Sequence, residues 1–252
     1  MTVLKSFADL ELMRPACRAA AAVLEDVRQA IRPGMTTFQI DTFAADRIRA
    51  SGGHSAFLGY RKYPCHVCLS VNDEVVHGLA SSRVLSFGDV LSVDCGVVMN
   101  GFVGDTARTF AVGGCSPEAQ RLVEVTQQSL SEGIQVCRKG NRVGDISRAI
   151  QRHVEAHGFS VVREFVGHGV GRSLHEDPQI PNFVEKGSSP RLVPGMTLAI
   201  EPMVNAGRSE VKFLKDGWTV KTRDGSLSAH FEHTVLITEG APEVLTEYDG
   251  SR

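Results

Sequence analysis

One stretch, residues 90–112, constrains the fold of this chain more than any other. It reads VLSVDCGVVMNGFVGDTARTFAV, with an apolar, β-branched run on each side of Asn100-Gly101. An Asn-Gly pair between two such runs is the strongest short-range signal for a two-residue hairpin turn. The stretch therefore predicts a long antiparallel hairpin. Each run nevertheless carries an aspartate, Asp94 or Asp105, where a packed strand should be apolar.

The predicted turn determines which residues of the two strands face each other. With a two-residue turn, Gly96 pairs with Asp105. Asp94 shares the face of Gly96, so the two aspartates lie diagonally across the hairpin, with Cα atoms ~7–8 Å apart. Removing carboxylates from water is unfavourable, so positive charge must lie nearby. An ion pair with Arg108 or another arginine is one explanation, and exposure at the strand ends is another.

Three further candidate ligands occur later in the chain. Glu201 lies inside an apolar strand predicted at TLAIEPMV, Glu232 lies inside another predicted at AHFEHTVLI, and His168 lies in the glycine-rich VGHGVGRSLHEDP. Each alone could be a hydrogen-bonded core residue or a strand end. Together, four carboxylates and one imidazole in such settings predict two divalent cations, which balance the negative charge and hold a hydroxide at neutral pH. The donor set suits Co, Mn, Fe or Zn and does not select among them.

Composition and absent motifs argue against several other functions. HED at 175–177 lacks the second histidine of H-E-x-x-H, G-x-S-x-G does not occur, and GHGVG matches neither dinucleotide nor P-loop spacing. Cys65 and Cys68 form a single C-x-x-C, which disfavours a redox or zinc role. With 27 Lys+Arg against 29 Asp+Glu, no charge excess suggests nucleic acid or a membrane surface as a partner. The apolar run Ala19 to Leu24 is too short to span a bilayer, so a cytoplasmic location is expected.

The order of elements predicts an α+β fold made of two pseudo-symmetric halves. Helices are expected at about 9–31, 36–52, 116–138 and 143–158, and each pair precedes a strand-rich block, at about 65–112 and 161–238. Gly34, Ile40 and Gly52 of the first helix pair align with Gly140, Ile146 and Gly158 of the second. A curved antiparallel sheet with the helices on its outer face would leave the other face open for a cleft. We expect a single catalytic domain over 1–252, with halves of about 1–115 and 116–252.

The chain resembles the type I methionine aminopeptidases over nearly its whole length. The resemblance rests on SAFLGYRKYP, VNDEVVHG, VDCGVVMNGFVGDTARTF, GHGVGRSLHEDPQIPNF, LAIEPMVNAG and DGWTVKTRDGSLSAHFEHTVLIT, in this order and with familiar gaps. It implies a pita-bread (creatinase/aminopeptidase) fold around a dinuclear metal site. It also implies that neither an N-terminal zinc finger nor an extension domain is present.

The resemblance assigns a role to each candidate site residue. The implied metal ligands are Asp94, Asp105, His168, Glu201 and Glu232, of which Asp105 and Glu232 bridge the two ions. Asp94 would chelate one ion, and His168 and Glu201 would hold the other. Glu201 would also handle the proton of the nucleophile. The implied substrate-binding residues are His77 and His175, which contact the amine or amide, and the methionine-pocket residues Phe57, Tyr60, Tyr63, Cys68, Leu174 and Trp218.

The implied reaction is hydrolysis of the first peptide bond of a chain that begins with methionine and continues with a small, uncharged residue. A hydroxide activated by the two metal ions would attack the peptide carbonyl. The implied partners are the N-termini of nascent polypeptides, with any ribosome contact made by the surface of the domain, and the protein would be a monomer. A proline-directed aminopeptidase or dipeptidase of the same fold is one alternative. A non-catalytic peptide-binding protein is the other.

The chain departs from the family pattern at five positions near the site. Phe57 stands where a cysteine is common, Leu174 where an aromatic residue is common, Gly96 where a threonine is frequent, Val103 where a histidine is frequent, and His230 where a glutamine is usual. None of the implied metal ligands is affected. These departures concern the shape of the pocket and the surroundings of the metal ions.

Overall fold

Two pairs of helices alternate with two groups of strands along the chain, as predicted. The computed structural model describes residues 3–248 and 250. The helices in this part of the chain are α1 Phe7–Ala30, α2 Thr37–Ala50, α3 Pro117–Gln135 and α4 Val143–Ala156, with a short 3₁₀ turn at Tyr60–Lys62. The strands are β1 His54–Ser55, β2 Cys68–Val71, β3 Glu74–Val76, β4 Val90–Met99, β5 Phe102–Ala111, β6 Ser160–Val161, β7 Gly167–Gly169, β8 Glu176–Ile180, β9 Thr197–Ile200, β10 Met203–Asn205, β11 Val211–Phe213, β12 Val220–Thr222, β13 Ser228–His230, β14 His233–Leu236 and β15 Glu243–Val244.

The side chains that cap the helices explain where three of them begin. Ser6 accepts a hydrogen bond from the backbone N–H of Asp9, and the Asp9 carboxylate accepts one from the N–H of Ser6. Thr36 and Gln39 form the same reciprocal pair before α2, and Ser116 caps α3. Because Ser6 caps it, α1 begins slightly earlier than predicted. In the described part of the chain, no helix is both long enough and apolar enough to cross a membrane.

The central hairpin has the predicted register. β4 and β5 pair antiparallel, with Gly96 opposite Asp105. Asn100 and Gly101 occupy the turn with φ values of 54° and 75°, as a type I′ turn requires. β4 also pairs with β1 and β2 on its other side, so β4 lies in the middle of a four-stranded sheet and β5 along one edge. The two aspartates are therefore carried by the longest ladder of this sheet.

The antiparallel layer is divided into four hydrogen-bonded sheets. The second half contributes a five-stranded sheet in the order β15-β14-β9-β7-β8 and a three-stranded sheet in the order β13-β10-β6. A third sheet, β11-β12-β3, combines a hairpin of the second half with a strand of the first. An isolated bridge between Ala107 and Glu232 connects β5 to the segment between β13 and β14. The two halves thus share backbone pairing at the centre of the molecule.

Two breaks lie side by side in the strands of the second half, and each separates two short strands by two residues. Glu201 and Pro202 separate β9 from β10, and Phe231 and Glu232 separate β13 from β14. β9 pairs with β14, whereas β10 pairs with β13, so the interruption lies between two ladders. Pro202 has no N–H to donate to a ladder, which favours a break there. The prediction that Glu201 and Glu232 lie inside strands is therefore corrected, because both lie where a strand stops.

Two apolar cores lie under the two helix pairs. One is built only from residues within 19–112, and the other only from residues within 122–237. A third cluster, which includes Met13, Phe102 and Leu174, connects elements from both sides of the cleft. This arrangement supports the predicted division into two halves, which stays a prediction.

Threonine hydroxyls join the halves next to the candidate ligands. The Thr234 hydroxyl donates to the carbonyl oxygen of Asp105 at 2.8 Å and accepts from its backbone N–H at 3.3 Å. The Thr106 hydroxyl donates to the carbonyl oxygen of Glu232 at 2.8 Å. Both threonines are buried. The backbone at Asp105 and at Glu232 is therefore held by a side chain from the opposite half.

Candidate metal centre and peptide cleft

The five predicted metal ligands meet in the cleft between the two halves. Asp94 and Asp105 project from β4 and β5, His168 from β7, and Glu201 and Glu232 from the two strand interruptions. All five line one cleft of about 730 Å³. Donor atoms of Asp105, His168 and Glu232 lie within 4.8 Å of one another. A ligand atom lies about 2.1 Å from its metal ion, so two ligand atoms on opposite sides of one ion lie about 4.2 Å apart. The distances between these three donor atoms are close to that value, so the three could bind one ion.

The protonation of His168 points to a cation among these residues. His168 Nδ1–H donates to the carbonyl oxygen of Gly169 at 2.9 Å. Burial and neighbouring His175 lower the pKa of His168 to about 3, so the ring is neutral and Nε2 carries a lone pair. That nitrogen lies 3.3 Å from Glu201 Oε1 and 3.9 Å from Asp105 Oδ2. The imidazole lone pair and the two carboxylates therefore converge on one point, where a cation would be held by all three side chains.

Buried carboxylate oxygens without hydrogen-bond partners also indicate that these residues bind a cation. Asp94 Oδ1, Asp105 Oδ1 and Glu232 Oε1 have no hydrogen-bond partner among the residues that the structure describes. Leaving a buried polar atom unpaired costs ~1–3 kcal/mol, and more when the atom is charged. Proteins therefore pair such atoms or use them as ligands. Carboxylate oxygens together with one imidazole nitrogen are donors that suit divalent first-row metals, so the residues present fit such ions.

The four carboxyl groups also raise one another's pKa when no cation is bound. Burial is the main cause for each group, and repulsion between carboxylates adds to it. Glu201 repels Asp94, and Asp94 repels Asp105. Asp105 in turn repels Glu201 and Glu232. The pKa of each carboxyl therefore lies well above its ordinary value, and a divalent ion would reverse the shift by favouring the ionised form.

The two predicted substrate histidines line the same cleft. His175 shares a hydrogen bond of 2.8 Å with the Tyr60 hydroxyl through Nδ1, and its ring centroid lies 4.3 Å from that of His168. His77 follows β3 with φ of 59°, a left-handed conformation that is uncommon outside glycine. Its ring packs edge-on against Phe165, with the centroids 5.3 Å apart. Burial lowers the pKa of both histidines, to about 4 for His77, so both rings are neutral near pH 7.

The predicted pocket residues form a continuous wall beside these groups. Tyr63 and Trp218 pack edge to face with ring centroids 5.0 Å apart. The Tyr63 hydroxyl donates to the carbonyl oxygen of Gly78 at 2.9 Å, so the wall carries no unpaired phenol. Cys68 pairs with Asp94 across β2 and β4. The residues of this wall that line the cleft are Phe57, Tyr60, Tyr63, Cys68, Leu174 and Trp218. Tyr63 belongs to the first half and Trp218 to the second, so both halves are needed to form it.

Two departures from the family pattern form one coupled change. A Cβ atom on Gly96 would lie 2.6 Å from Phe57 Cε1 and 2.9 Å from Ala56 Cβ. The space that glycine leaves beside Asp105 is therefore filled by the Phe57 ring. Phe57 is buried and also lines the cleft. A larger residue at one of these two positions requires a smaller one at the other.

His230 adds an imidazole that was not predicted as a site residue. It is 2% exposed, and the Thr109 hydroxyl bonds both its backbone N–H and its carbonyl oxygen. In the described part of the chain His230 Nε2 has no hydrogen-bond partner, and it lies 3.6 Å from Glu201 Oε2. Burial and neighbouring His77 lower the pKa of His230 to about 3, so the ring is neutral. The departure from the usual glutamine therefore places a second neutral imidazole beside Glu201.

Several other cleft residues were not singled out from the sequence, among them two large apolar side chains. Met203 and Phe165 both line the cleft. Met203 follows Glu201 by two positions, a spacing that brings side chains to one face of an extended segment, and this signal was available. Phe165 lies in the loop before β7, where no periodicity indicates the direction of a side chain.

Comparison with known proteins adds an independent set of findings. The model of metallopeptidase family M24 matches residues 11–239. The methionine aminopeptidase of Clostridium perfringens is 49% identical over 246 residues, which cover 98% of this chain and 99% of that protein. The crystal structure of methionine aminopeptidase from Thermotoga maritima has a TM-score of 0.96 at 46% identity, covering 98% of this chain and 100% of that one.

A more distant structure shares the fold alone. Prolidase from Pyrococcus furiosus has a TM-score of 0.78 at 20% identity, covering 98% of this chain and 66% of that one. The two solved structures together confirm the predicted pita-bread fold.

Proposed function

This chain belongs to metallopeptidase family M24, and we propose that it removes the N-terminal methionine from peptides and proteins in a metal-dependent reaction. The observation that carries the proposal is the geometry at His168, whose Nδ1–H donates to the Gly169 carbonyl and whose Nε2 faces carboxylate oxygens of Glu201 and Asp105. Such a set of acceptors is the expected arrangement around a metal ion. Similarity to the C. perfringens enzyme over nearly the whole chain supports methionine as the residue removed.

The ligands proposed to hold the metal are Asp94, Asp105, His168, Glu201 and Glu232. Two divalent ions would balance the charge of the four carboxylates, and three of these carboxylates have an oxygen with no partner among the described residues. When bound, such ions polarise the peptide carbonyl and lower the pKa of a water molecule to about 7. The donor set accepts Co, Mn, Fe or Zn and gives no preference among them.

Glu201 is proposed to move the proton during hydrolysis. Its two oxygens lie 3.3 Å from His168 Nε2 and 3.6 Å from His230 Nε2, and its side chain, 13% exposed, lines the cleft. A carboxylate in this position can accept a proton from the attacking water and deliver it to the leaving amine. Its position directly before Pro202, where β9 stops, holds the carboxylate at a fixed point in the cleft.

His77 and His175 are proposed to bind the scissile peptide group. Nδ1 of His175 is engaged by Tyr60, which leaves Nε2 for the substrate. A neutral imidazole that donates to the carbonyl oxygen stabilises the oxyanion as charge develops. We therefore expect His175→Ala to lower kcat and kcat/KM by similar factors, about 10²–10³-fold, with metal binding retained. A change confined to KM would contradict this role.

The apolar wall is proposed to select methionine as the first residue. Burying its thioether side chain among aromatic rings removes apolar surface worth ~1.5–3 kcal/mol and leaves no polar group unpaired. Leucine should be a poor second choice. The second residue of the substrate lies at the rim near His77 and His175, so small residues should be accepted there and lysine, leucine or phenylalanine rejected.

We also infer that one chain is the active unit. All of the proposed ligands and pocket residues come from a single chain, and the expected state is therefore a monomer. Its substrates would be the N-termini of nascent polypeptides in the cytoplasm, and any contact with the ribosome would use the surface of the domain. Sedimentation of the active protein measures the first of these inferences, and a dimer as the only active species would contradict it.

The decisive experiment compares four tripeptides. We would measure kcat/KM for Met-Ala-Ser, Met-Lys-Ser, Leu-Ala-Ser and Ala-Pro-Ser after loading the protein separately with each divalent metal. Met-Ala-Ser should be cleaved fastest, and excess chelator should abolish cleavage. Faster cleavage of Ala-Pro-Ser would identify a proline-directed enzyme. Metal binding without cleavage of any peptide would identify a peptide-binding protein, and full activity in excess chelator would refute metal dependence.

A further inference from the structure

A buried lysine lies beside the cleft and outside the proposed catalytic groups. Lys5 is 7% exposed, and its Nζ donates to Glu176 Oε2 at 2.5 Å and to the carbonyl oxygen of Val3 at 3.1 Å. The side chain of Glu176 is only 10% exposed. The backbone N–H of Lys5 also donates to the carbonyl oxygen of Gly195 at 2.8 Å. Lysine and glutamate are rarely buried, and a buried pair must overcome the loss of hydration, so this pair calls for an explanation.

The ion pair is built into the loop that carries His175. Glu176 Oε1 accepts from the backbone N–H of Ser173 at 3.2 Å. The Lys5 side chain passes directly over Gly171, where a Cβ atom would lie 2.3 Å from Lys5 Cε. A side chain at 171 would therefore displace the lysine. The Glu176 carboxylate thus binds the loop backbone through the N–H of Ser173 and binds the segment before α1 through Lys5.

The loop in turn determines the position of His175. Glu176 follows His175 directly and is the first residue of β8. The His175 ring contacts Tyr60 and His168 and lines the cleft, and because Nδ1 is bonded to Tyr60, Nε2 is the nitrogen left for a substrate. A displacement of about 1 Å at a group that contacts the reacting atoms can lower a rate about 10²-fold. A loop without an anchor would permit such a displacement.

We propose that the Lys5–Glu176 ion pair positions His175 for the reaction. Lys5 and Glu176 are positioning residues, because their effect reaches the substrate through the His175 ring. The inference rests on the proposed function, since it takes His175 to be the group that stabilises the transition state. The desolvated pair is retained because removing one partner would leave a buried charge and free the loop.

A second ion pair provides a matched control. Arg172 Nη2 donates to Asp9 Oδ1 at 2.8 Å and joins the same loop to the same end of α1. The Arg172 side chain is 63% exposed, and exposed pairs contribute little because water and salt screen them. If mere attachment of α1 to the loop were sufficient, removal of either pair would have the same effect. The proposal predicts different effects.

The test is a double-mutant cycle on Met-Ala-Ser hydrolysis. Lys5→Met should lower kcat about 10-fold or more, while KM and the divalent-metal Kd change less than about 2-fold. Arg172→Gln should leave kcat within about 2-fold of wild type. In the His175→Ala background, Lys5→Met should cause no further loss of kcat, because the residue through which it acts is gone. A role in stability alone would lower activity equally in both backgrounds.

Several outcomes would overturn the inference. These are an additive loss in the His175→Ala background, an unchanged kcat in Lys5→Met, and an equal loss in Arg172→Gln. If Lys5→Met does not fold, Lys5→Met/Glu176→Gln removes both charges and should fold with kcat still lowered, whereas full kcat in that variant would refute the positioning role. If wild type cleaves no Met-Ala-Ser with any metal, the proposed function itself fails. An active wild type with additive losses refutes only the role of the ion pair.

Discussion

Asp105 is the single residue on which the candidate metal site most depends. It faces Gly96 across the hairpin, Thr234 of the opposite half bonds its backbone on both sides, and its Oδ1 has no partner among the described residues. Its Oδ2 lies 3.9 Å from His168 Nε2. The protein thus fixes the backbone at Asp105 and leaves one carboxylate oxygen, Oδ1, available to bind a metal ion.

Asp105→Asn should therefore weaken divalent-metal binding by at least about 100-fold, because an amide cannot supply the missing negative charge. Isothermal titration of the metal-free protein measures this effect. Asp41→Asn is the matched control: Asp41 is also buried, but its Oδ1 accepts from the backbone N–H groups of His66 and Val67. That change should lower stability and leave metal affinity intact. Equal metal affinity in wild type and Asp105→Asn would contradict the assignment.

Metal binding should release protons and strengthen as pH rises. The pKa values of the four carboxyls lie well above their ordinary values when no cation is bound, so part of the site is protonated at a pH where free carboxyls are ionised. A metal ion must displace those protons. His168, with its pKa lowered to about 3, is already neutral near pH 7 and contributes none. Titrations at pH 7 in buffers of different ionisation enthalpy count the released protons, and a pH-independent affinity without release would refute this coupling.

A site residue could be predicted from the sequence only where its charge is unfavourable among its neighbours along the chain. An acid within an apolar strand is unfavourable without a partner, so Asp94 and Asp105 were recognisable from the sequence alone. Lys5 lies near the start of the chain and Glu176 in the polar stretch HED, and neither is an acid or base inside a predicted apolar strand. Only the folded structure shows that Lys5 is buried and that the Glu176 side chain is 10% exposed. His230 was visible as a departure, but the direction of its ring depends on long-range bonds to Thr109.

Among the structural elements, the paired interruption of β9–β10 and β13–β14 has the largest effect on the site. It converts two long strands into four short ones and places one carboxylate in each gap. Apolar residues stand on both sides of each gap, so the sequence pattern alone predicted continuous strands. Pro202 was the one local sign of a break. The hairpin of β4 and β5 was predictable in full, because Asn-Gly determines the register through local backbone geometry.

The contact between β4 and the segment after β1 should behave as a coupled pair. Gly96→Thr alone should lower the free energy of unfolding by about 1–3 kcal/mol through overpacking against Phe57. Phe57→Cys alone should lower it by about 3 kcal/mol by leaving a cavity. The double variant should be more stable than the sum of the two effects by about 0.5–3 kcal/mol. Denaturant unfolding of the four proteins measures the coupling, and strict additivity would show that the ring does not occupy the space beside Gly96.

The bond between β14 and β5 should matter for stability and for the site. Thr234→Val removes the hydroxyl that bonds both backbone groups of Asp105, and it should lower the free energy of unfolding by about 1–3 kcal/mol. Thr42→Val is the matched control, because the Thr42 hydroxyl bonds only the Phe38 carbonyl on an exposed face of α2. That control should change stability by less than about 0.5 kcal/mol. Similar losses in the two variants would contradict the role assigned to the connection.

In the molecule as a whole, the proposed ligands are divided between the halves. Asp94 and Asp105 come before α3, and His168, Glu201 and Glu232 come after it. The order of helices and strands was predictable from caps, glycine stops and apolar periodicity. The bonds between the halves were not predictable, because both the backbone pairs and the hydroxyl contacts join residues more than a hundred positions apart.

A metal ion bound to ligands of both halves should stabilise the entire fold. At a free metal concentration 100 times Kd, the free energy of unfolding should rise by about 2.7 kcal/mol. Calorimetry should then show one transition whose Tm rises with metal concentration and returns to its starting value in chelator. The rise should be absent in Asp105→Asn. An unchanged Tm at saturating metal would show that the folded chain binds the ion no more tightly than the unfolded chain, which would contradict the proposed site.

Because the proposed metal ion would be bound by ligands of both halves, the time for which a molecule survives proteolysis would depend on the metal supply. Proteases cut a chain mainly when it opens, and degradation follows the population of the open form when opening is fast. At 100 times Kd, bound metal lowers that population about 100-fold. When metal is scarce, the chain would therefore be both inactive and degraded faster by proteases. Its abundance would then follow the metal supply without a separate regulator.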